Sequence, residues 1–359
     1  MPAITEEDSL RLKILNFPLI IGVVYIHAYS ASIEHGGESL GPEQLNYLSD
    51  FVRTLISQGI ARLAVPLFFL MSGYFFFLGF TWSWRAFAQK LAGRVKTLLL
   101  PFLFWTGFVV AIRFLGQSIP AVRAYFTGEG ALLAELPLYD LANALFGFTR
   151  APEAYHFWFI RDLMVLMLFS PLLFFCLRTF ALPFLLSLFF LWISGNWPLY
   201  TPDVVGVLFF SLGAYLAMRG TSLFFLDKYG PWFVVLYVPL LLADVIWYTA
   251  PFNLCLHRCG IVIGLVAVLY ASKRVPTGSP LQHMLLWLCG ASFFVYAAHE
   301  PLLGIVRTLA FQFFPLDQPY TMVLLYLFVP LAVIIVLVVL HVILRAVVPD
   351  ALRLVTGGR

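Results

Sequence analysis

Charge is what this chain lacks. Only 11% of its 359 residues are Asp, Glu, Lys or Arg, less than half the roughly 25% of a soluble domain, and this excludes an ordinary water-soluble fold. The net charge of +4 is too small for a nucleic-acid-binding surface and matters only through its distribution along the chain. Cysteine is scarce too. Cys176, Cys255, Cys259 and Cys289 all fall in apolar stretches, which excludes a disulfide framework. Cys255 and Cys259 stand one helical turn apart beside His257, a faint likeness to a metal site, but they read as small apolar core residues and no metal is expected. Room for a soluble domain is also missing, since the longest connections between apolar runs are 33–59 and 118–155.

In place of charge there is hydrocarbon: 62% hydrophobic residues, 17% aromatic, and a mean hydropathy of +0.92. Windows of about 20 apolar residues, the length that crosses a bilayer, lie near 12–32, 60–80, 97–117, 156–178, 180–196, 203–220, 230–250, 254–272, 285–310 and 320–346. The window at 180–196 is short. The expected fold is therefore all-α: a polytopic integral membrane helix bundle of about ten transmembrane helices, forming one domain over 1–359. The first long connection predicts an amphipathic helix from about Pro42 to Ile56, and the second a helical piece over 131–146. Arg11 and Lys13 ahead of an apolar run that ends near Ala28, Ser30 and Ala31 have the outline of a signal peptide. The acidic Glu6, Glu7 and Asp8 and a histidine within the run favour an uncleaved first helix.

Orientation follows from the basic residues. With both the N- and C-termini cytoplasmic, that side holds Arg11, Lys13, Arg85, Lys90, Arg94, Lys96, Arg178, Arg219, Lys228, Lys273, Arg274, Arg345, Arg353 and Arg359. The other side keeps only Arg53, Arg123 and Arg150, among Glu34, Glu38, Glu129, Glu135, Asp140 and Glu153. This is a strong positive-inside bias, and an odd number of spans destroys it.

The first apolar run carries His27 well inside it. An ionisable side chain at that depth is costly and reads as functional, facing a bundle interior or a wet cavity. Asn16 lies eleven residues earlier; that is close to three whole turns, so both residues share one helix face roughly 16 Å apart. The bland alternative is a single histidine hydrogen-bonded to a neighbouring helix. Other ionisable groups collect at similar depth: Arg62, His156, Arg161, Asp244, His257, Arg258, His299 and Arg307. Such a collection predicts an enclosed polar cavity, with Arg258, Arg307 and His156 explained by snorkelling to the outer interface.

Five blocks then stand out in order: VVYIHAYS at 23–30, RLAVPLFFLMSGYFFF at 62–77, KLAGRVKTLLLPFLFW at 90–105, HFWFIRDLMVLMLFSPLL at 156–173 and SFFVYAAHEPLL at 292–303. In these blocks the chain resembles acyltransferase family 3, the ten-helix bacterial inner-membrane enzymes that add acyl groups to cell-surface polysaccharides. The resemblance implies an O-acyltransferase that uses acyl-CoA, most commonly acetyl-CoA, as co-substrate and a polysaccharide or lipid-linked glycan as acceptor. Membrane lipid is the other expected partner, nucleic acid is not, and oligomer formation is left open. The family pairs its first-helix histidine with an arginine eleven positions earlier, where this chain has Asn16; Lys13, one turn below, is the available cation. With no room for the hydrolase-like domain that some members append, the membrane part is expected to do the chemistry alone.

Acyl transfer from a thioester to a sugar hydroxyl needs a base, donors for the developing oxyanion, and a held thioester. Histidine suits the first task, making His27 the expected base or acyl carrier and His299, which also matches a family histidine, the second candidate. Glu300 points about 100° from His299 on a helix and is expected to contact another element. Arg161 and Asp162 are adjacent, so on a helix they diverge; Arg161 is then free to stabilise the transition-state charge, with Trp158 stacking on it, unless it forms a structural ion pair, for instance with Asp244. The expected catalytic set is His27, Arg161 and His299. Lys13, Asn16, Lys90, Arg94 and Ser72 are expected on the donor side, and Arg62, Trp158, Asp162 and Glu300 on the acceptor side. Two of these have plain alternatives: Ser72 belongs to a Ser-Gly pair of the sort found at tight helix crossings, and the Lys90, Arg94 and Lys96 cluster equally obeys the positive-inside rule or touches anionic lipid. The competing function is a polysaccharide or lipid-linked-sugar transporter or flippase without covalent chemistry, which internal charges and the proline-interrupted spans at Pro66, Pro101 and Pro171 also suit.

Overall fold

The computed structural model describes residues 4–29, 33–35, 38–40, 47–120, 123, 126, 132–315 and 320–358. The first helix, α1 (Glu6–Tyr29), starts earlier than hydropathy suggests. Thr5 caps it, accepting from the amide of Asp8 at 3.0 Å, and Glu6, Glu7 and Asp8 place negative charge against the positive end of the helix dipole. A small antiparallel hairpin pairs Ile33–His35 with Glu38–Leu40, the one addition to an otherwise helical architecture among the described residues.

The second helix, α2 (Tyr47–Phe77), changes pitch on the way: Thr54–Ile60 is π-helical and Ala61–Leu63 is a tight 3-10 turn. The amphipathic helix expected over 42–56 is not a separate element, since from Tyr47 on it runs directly into this span; residues 41–46 lie outside the described ones. Helix α3 (Trp84–Ser118) is capped by Ser83, which accepts from the Ala86 amide at 3.1 Å, so Lys90, Arg94 and Lys96 are helical residues at its base. The piece expected over 131–146 divides at Pro137 into a turn, Leu133–Glu135, and a short helix, α4 (Leu138–Phe146); residue 131 lies outside the described ones.

Next come α5 (Tyr155–Leu168) and α6 (Ser170–Thr179), bent by 64° at their junction. They are followed by α7 (Ala181–Ser194), α8 (Val204–Met218), α9 (Asp227–Ile246) and α10 (Asn253–Ser272). A second bent pair, α11 (Pro280–Cys289) and α12 (Ser292–Phe313), also turns by 64°. The chain closes with α13 (Thr321–Val347) and α14 (Pro349–Thr356). Among the described residues six helices are long and apolar enough to cross a membrane, or up to eight if each bent pair counts as one span. Helices α7 and α8, at 14 and 15 residues, fall short of that length. The chain is an integral membrane protein.

The interior is a continuous apolar cluster built on residues such as Val24, Phe69, Phe102, Phe157, Phe210 and Val295. Where α2 crosses α8 the backbones nearly touch. A Cβ on Gly73 would collide with the Phe210 carbonyl and one on Gly213 with the Leu70 carbonyl, so only glycine fits on either side. The outward faces of α9 and α13 carry Trp232, Val235, Ile335 and Val339, all exposed, as lipid-facing surfaces require.

Arg11 is not the loop charge that a topology count assumes. It is buried, pairs with Asp227 at 2.6 Å, donates to Ser272 Oγ at 3.0 Å and to the Leu269 carbonyl at 2.8 Å, and lies 3.6 Å from the centre of the Phe224 ring. It ties α1 to α10 and to the start of α9.

Candidate active site

His27 sits in the last turn of α1, half-buried and ringed by aromatic neighbours. Its ring centre is 5.0 Å from Tyr155, 5.1 Å from His299 and 6.2 Å from His156. His156 and His299 are themselves 4.8 Å apart. Helix α12 brings His299 in, immediately before the chain leaves helical geometry at Glu300, ahead of Pro301. The 3-10 turn Tyr155–Phe157 at the start of α5 brings in His156.

The hydrogen bonds define the state of two of these rings. His299 Nδ1 lies 2.6 Å from the Tyr296 carbonyl and His156 Nε2 lies 3.2 Å from the Ala297 carbonyl. A carbonyl oxygen can only accept, so each of those nitrogens carries the proton and the opposite nitrogen presents a lone pair. Those opposite atoms, His299 Nε2 and His156 Nδ1, are buried and have no partner among the described residues. Buried polar atoms are nearly always satisfied, so two orphans within one cluster need an explanation. Close as the three rings are, no group of three or more His, Cys, Asp or Glu among the described residues is arranged to hold a metal ion.

Two cavities meet at His27. One, of about 620 Å³, follows α1 from Ser9 and Lys13 past Asn16, Ile20 and Val23 to His27, with Phe68, Phe159 and Phe293 among its walls. From Ser9 to His27 is roughly 27 Å of helix rise, long enough for an extended chain. The other cavity, of about 600 Å³, is the more polar of the two: His27, Gln58, Arg62, Asp203, Tyr248 and Arg258 line it among apolar residues, with Trp192 beside them. Val23, His27, Val65 and Trp158 belong to both walls. The periodicity that puts Asn16 and His27 on one face of α1 therefore places them on one wall of the same apolar cavity.

The other expected residues divide. Lys13, Asn16 and Ser72 line the first cavity, where Asn16 Nδ2 donates to Cys289 Sγ at 3.4 Å. Arg62 lines the second, its Nε donating to Gln58 Oε1 at 2.7 Å across one turn. Lys90 is elsewhere: it donates to the Phe76 carbonyl, sits 4.9 Å from the Phe80 ring centre and lines a separate surface depression. Arg94, on the same stretch of α3, lines neither cavity. Glu300 does contact another element, accepting from the Tyr155 hydroxyl at 3.0 Å. Because Tyr155 packs on His27, that contact supports the ring from behind.

Arg161 and Asp162 correct the sequence reading. They do not diverge: Arg161 Nε and Nη2 reach Asp162 Oδ1 at 2.9 and 2.8 Å, and Nη1 donates to the Gly147 carbonyl. A guanidinium on a three-carbon stem can fold back past the helix backbone, which Cβ directions alone do not capture. Gly147, in the left-handed region at φ +68°, ends α4 and leaves the space, since a Cβ there would lie 2.8 Å from Arg161 Nη1. The Asp162 Oδ2 atom accepts from the Asp203 amide at 2.7 Å. Nor does Trp158 stack on Arg161; the guanidinium lies over Tyr200, 5.3 Å from its centre, while Trp158 faces the cavities. Asp244 is not its partner either, being held by His257 at 2.7 Å and Asn253 at 2.8 Å.

Snorkelling fails for two residues. His156, 1% exposed, is a member of the cluster, and Arg258 lines the polar cavity. The sequence signal for His156 was its place at the head of the HFWFIRD block, directly before two residues that turn inward.

A membrane-embedded helical protein with paired cavities and a histidine at their junction has the layout of an enzyme that joins a partly apolar substrate to a polar one. A family model described as an acyltransferase domain matches residues 15–342, nearly the whole chain. The chain belongs to that family, acyltransferase family 3. It is similar to the succinoglycan biosynthesis protein ExoH of Rhizobium meliloti (strain 1021), 27% identical over an alignment that covers 98% of this chain and 92% of that protein. No solved structure matches it.

Proposed function

We propose that the protein moves an acyl group from acyl-CoA, acetyl-CoA being the commonest donor of its family, to a hydroxyl of a glycan across the bacterial inner membrane. Its orientation puts both termini in the cytoplasm, with ten crossings when the short α7 and α8 are included. The apolar cavity, open near Lys13, takes the acyl-pantetheine arm, and the polar cavity takes the acceptor. The observation that carries this reading is that His27 lies on the wall common to both. A role in succinoglycan biosynthesis for a relative supports a glycan as the acceptor.

In the reaction, the acceptor oxygen attacks the thioester carbonyl carbon as a ring nitrogen of His27 takes its proton. The tetrahedral intermediate collapses, the C–S bond breaks, and the proton returns from His27 to the departing thiolate. His156, which lines the apolar cavity, and His299 pack against the ring of His27 and position it, and Arg62 faces the developing oxyanion charge from the polar side. Arg161 acts as a positioning residue, fixing the start of α8 through Asp162 and Asp203. A His27→Ala substitution is expected to lower transfer of label from radiolabelled acetyl-CoA to glycan by about 10²–10⁴-fold, with the protein still inserted and monodisperse. Wild-type transfer by that variant removes His27 from the mechanism. Movement of unmodified glycan across vesicles, with no label transferred by the wild type, would assign the paired cavities to a flippase.

A further inference from the structure

The polar cavity holds more positive charge than its own residues neutralise. Arg62 and Arg258 both line it, and neither forms an ion pair among the described residues. Arg62 has only the neutral amide oxygen of Gln58. Arg258 lies 5.6 Å from the centre of the Trp192 ring and its Nη1 is buried without a hydrogen-bond partner.

Against these two guanidiniums the cavity wall carries one carboxylate. Asp203, the carboxylate on the cavity wall, spends Oδ1 on the Val205 amide at 2.8 Å as the cap of α8. Asp244 is held by His257 and Asn253. The contrast with Arg11 and Arg161 is direct, because each of those guanidiniums has a carboxylate within 2.8 Å. An unpaired guanidinium in a membrane protein interior is costly, and a planar fork of donors matches a carboxylate or phosphate oxygen pair.

We infer that the acceptor carries an anionic group, a carboxylate or a phosphate, and that Arg258, assisted by Arg62, binds it in the polar cavity while Trp192 and Trp158 border the sugar. The inference rests on that cavity being the acceptor site. Arg258 is the recognition residue for the charge. Arg62 is nearer the chemistry, sharing the wall with His27.

The two sources of the anion separate in one binding experiment on the full-length protein in lipid nanodiscs. The probes are a glucuronate–glucose disaccharide, the same disaccharide with its carboxyl reduced to an alcohol, and polyprenyl diphosphate glucose. The wild type is expected to bind the glucuronate form about tenfold more tightly than its reduced form, the preference shrinking with added salt. In Arg258→Gln the ratio falls to about one, and Arg258→Lys, which keeps the charge without the fork, retains part of it. If only the diphosphate probe shows the Arg258-dependent affinity, the anion is the lipid linkage and the site stands. A ratio of one in the wild type for every charged probe, a preference that Arg258→Gln leaves intact, or no measurable binding of any probe overturns the inference. The label-transfer assay with His27→Ala is read separately: should transfer depend on His27 while the ratio stays at one, the anion site falls and the acyltransferase reading survives.

Discussion

Two groups of buried polar residues, whose members on α5 stand little more than one turn apart, meet opposite fates. At Arg161 and Asp162 every strong donor and acceptor is engaged: guanidinium on carboxylate, guanidinium on the Gly147 carbonyl, carboxylate on the Asp203 amide. At His156 and its neighbour His299 one nitrogen of each ring is anchored to a carbonyl and the other is left empty. A satisfied network adds rigidity and fixes which helices meet. An unsatisfied buried acceptor costs about 1–3 kcal/mol and is tolerated where a ligand completes it. The difference separates buried polar groups that are spent on the fold from those left with an unused atom beside His27, a distinction that depth in the membrane does not make.

That contrast can be broken in graded steps. The largest effect is expected from Asp162→Ala, which strands the Arg161 guanidinium in the interior. Stability should fall by about 3–5 kcal/mol, seen as early thermal unfolding in detergent, and a variant with wild-type melting would mean that the pair does not hold the fold. His299→Asn keeps a donor at the Nδ1 position for the Tyr296 carbonyl but removes the lone pair at the Nε2 position. Activity should drop about 100-fold, some 2.7 kcal/mol in barrier, with little change in melting; equal losses in both readouts would return His299 to the structural class.

Arg11→Met retains an apolar stem against Phe224 and leaves Asp227 unpaired but partly exposed, its side chain 18% accessible. A loss of roughly 2 kcal/mol is expected, measured as a shift in the unfolding midpoint with kcat unaltered. The smallest effect belongs to Lys13→Ala at the exposed mouth of the apolar cavity. A single solvated charge contributes at most a few-fold, so the KM for the acyl donor should rise about threefold at low salt and converge with wild type in high salt. A tenfold change in kcat would instead place Lys13 in the chemistry.

Much of the architecture was legible because hydropathy is local. Eight of the ten apolar windows each fall on one helix, although α7 and α8 are shorter than a usual crossing; the windows at 156–178 and 285–310 fall on bent pairs, and the strands at 33–35 and 38–40 gave no hydropathic signal. The shared face of Asn16 and His27 was equally legible, since a helix of known pitch needs no partner to align residues eleven apart. His156 was hidden by its position at a helix start, where exposure to the interface is the ordinary outcome and only the 3-10 turn at 155–157 rotates the ring inward. The clamp at Arg11 and the cavity position of Arg258 were hidden for the same reason: a basic residue near the end of an apolar run looks alike whether it snorkels, clamps or lines a cavity.

Composition and periodicity alone determined that this chain lives in a membrane, that its helices follow in a given order, and that a polar stripe runs down the first of them. Only the tertiary structure decided which charges cancel. Pairing depends on the few ångströms between side chains from helices far apart in sequence, as when Arg11 meets Asp227 and His27 meets His299, and no local pattern carries that distance.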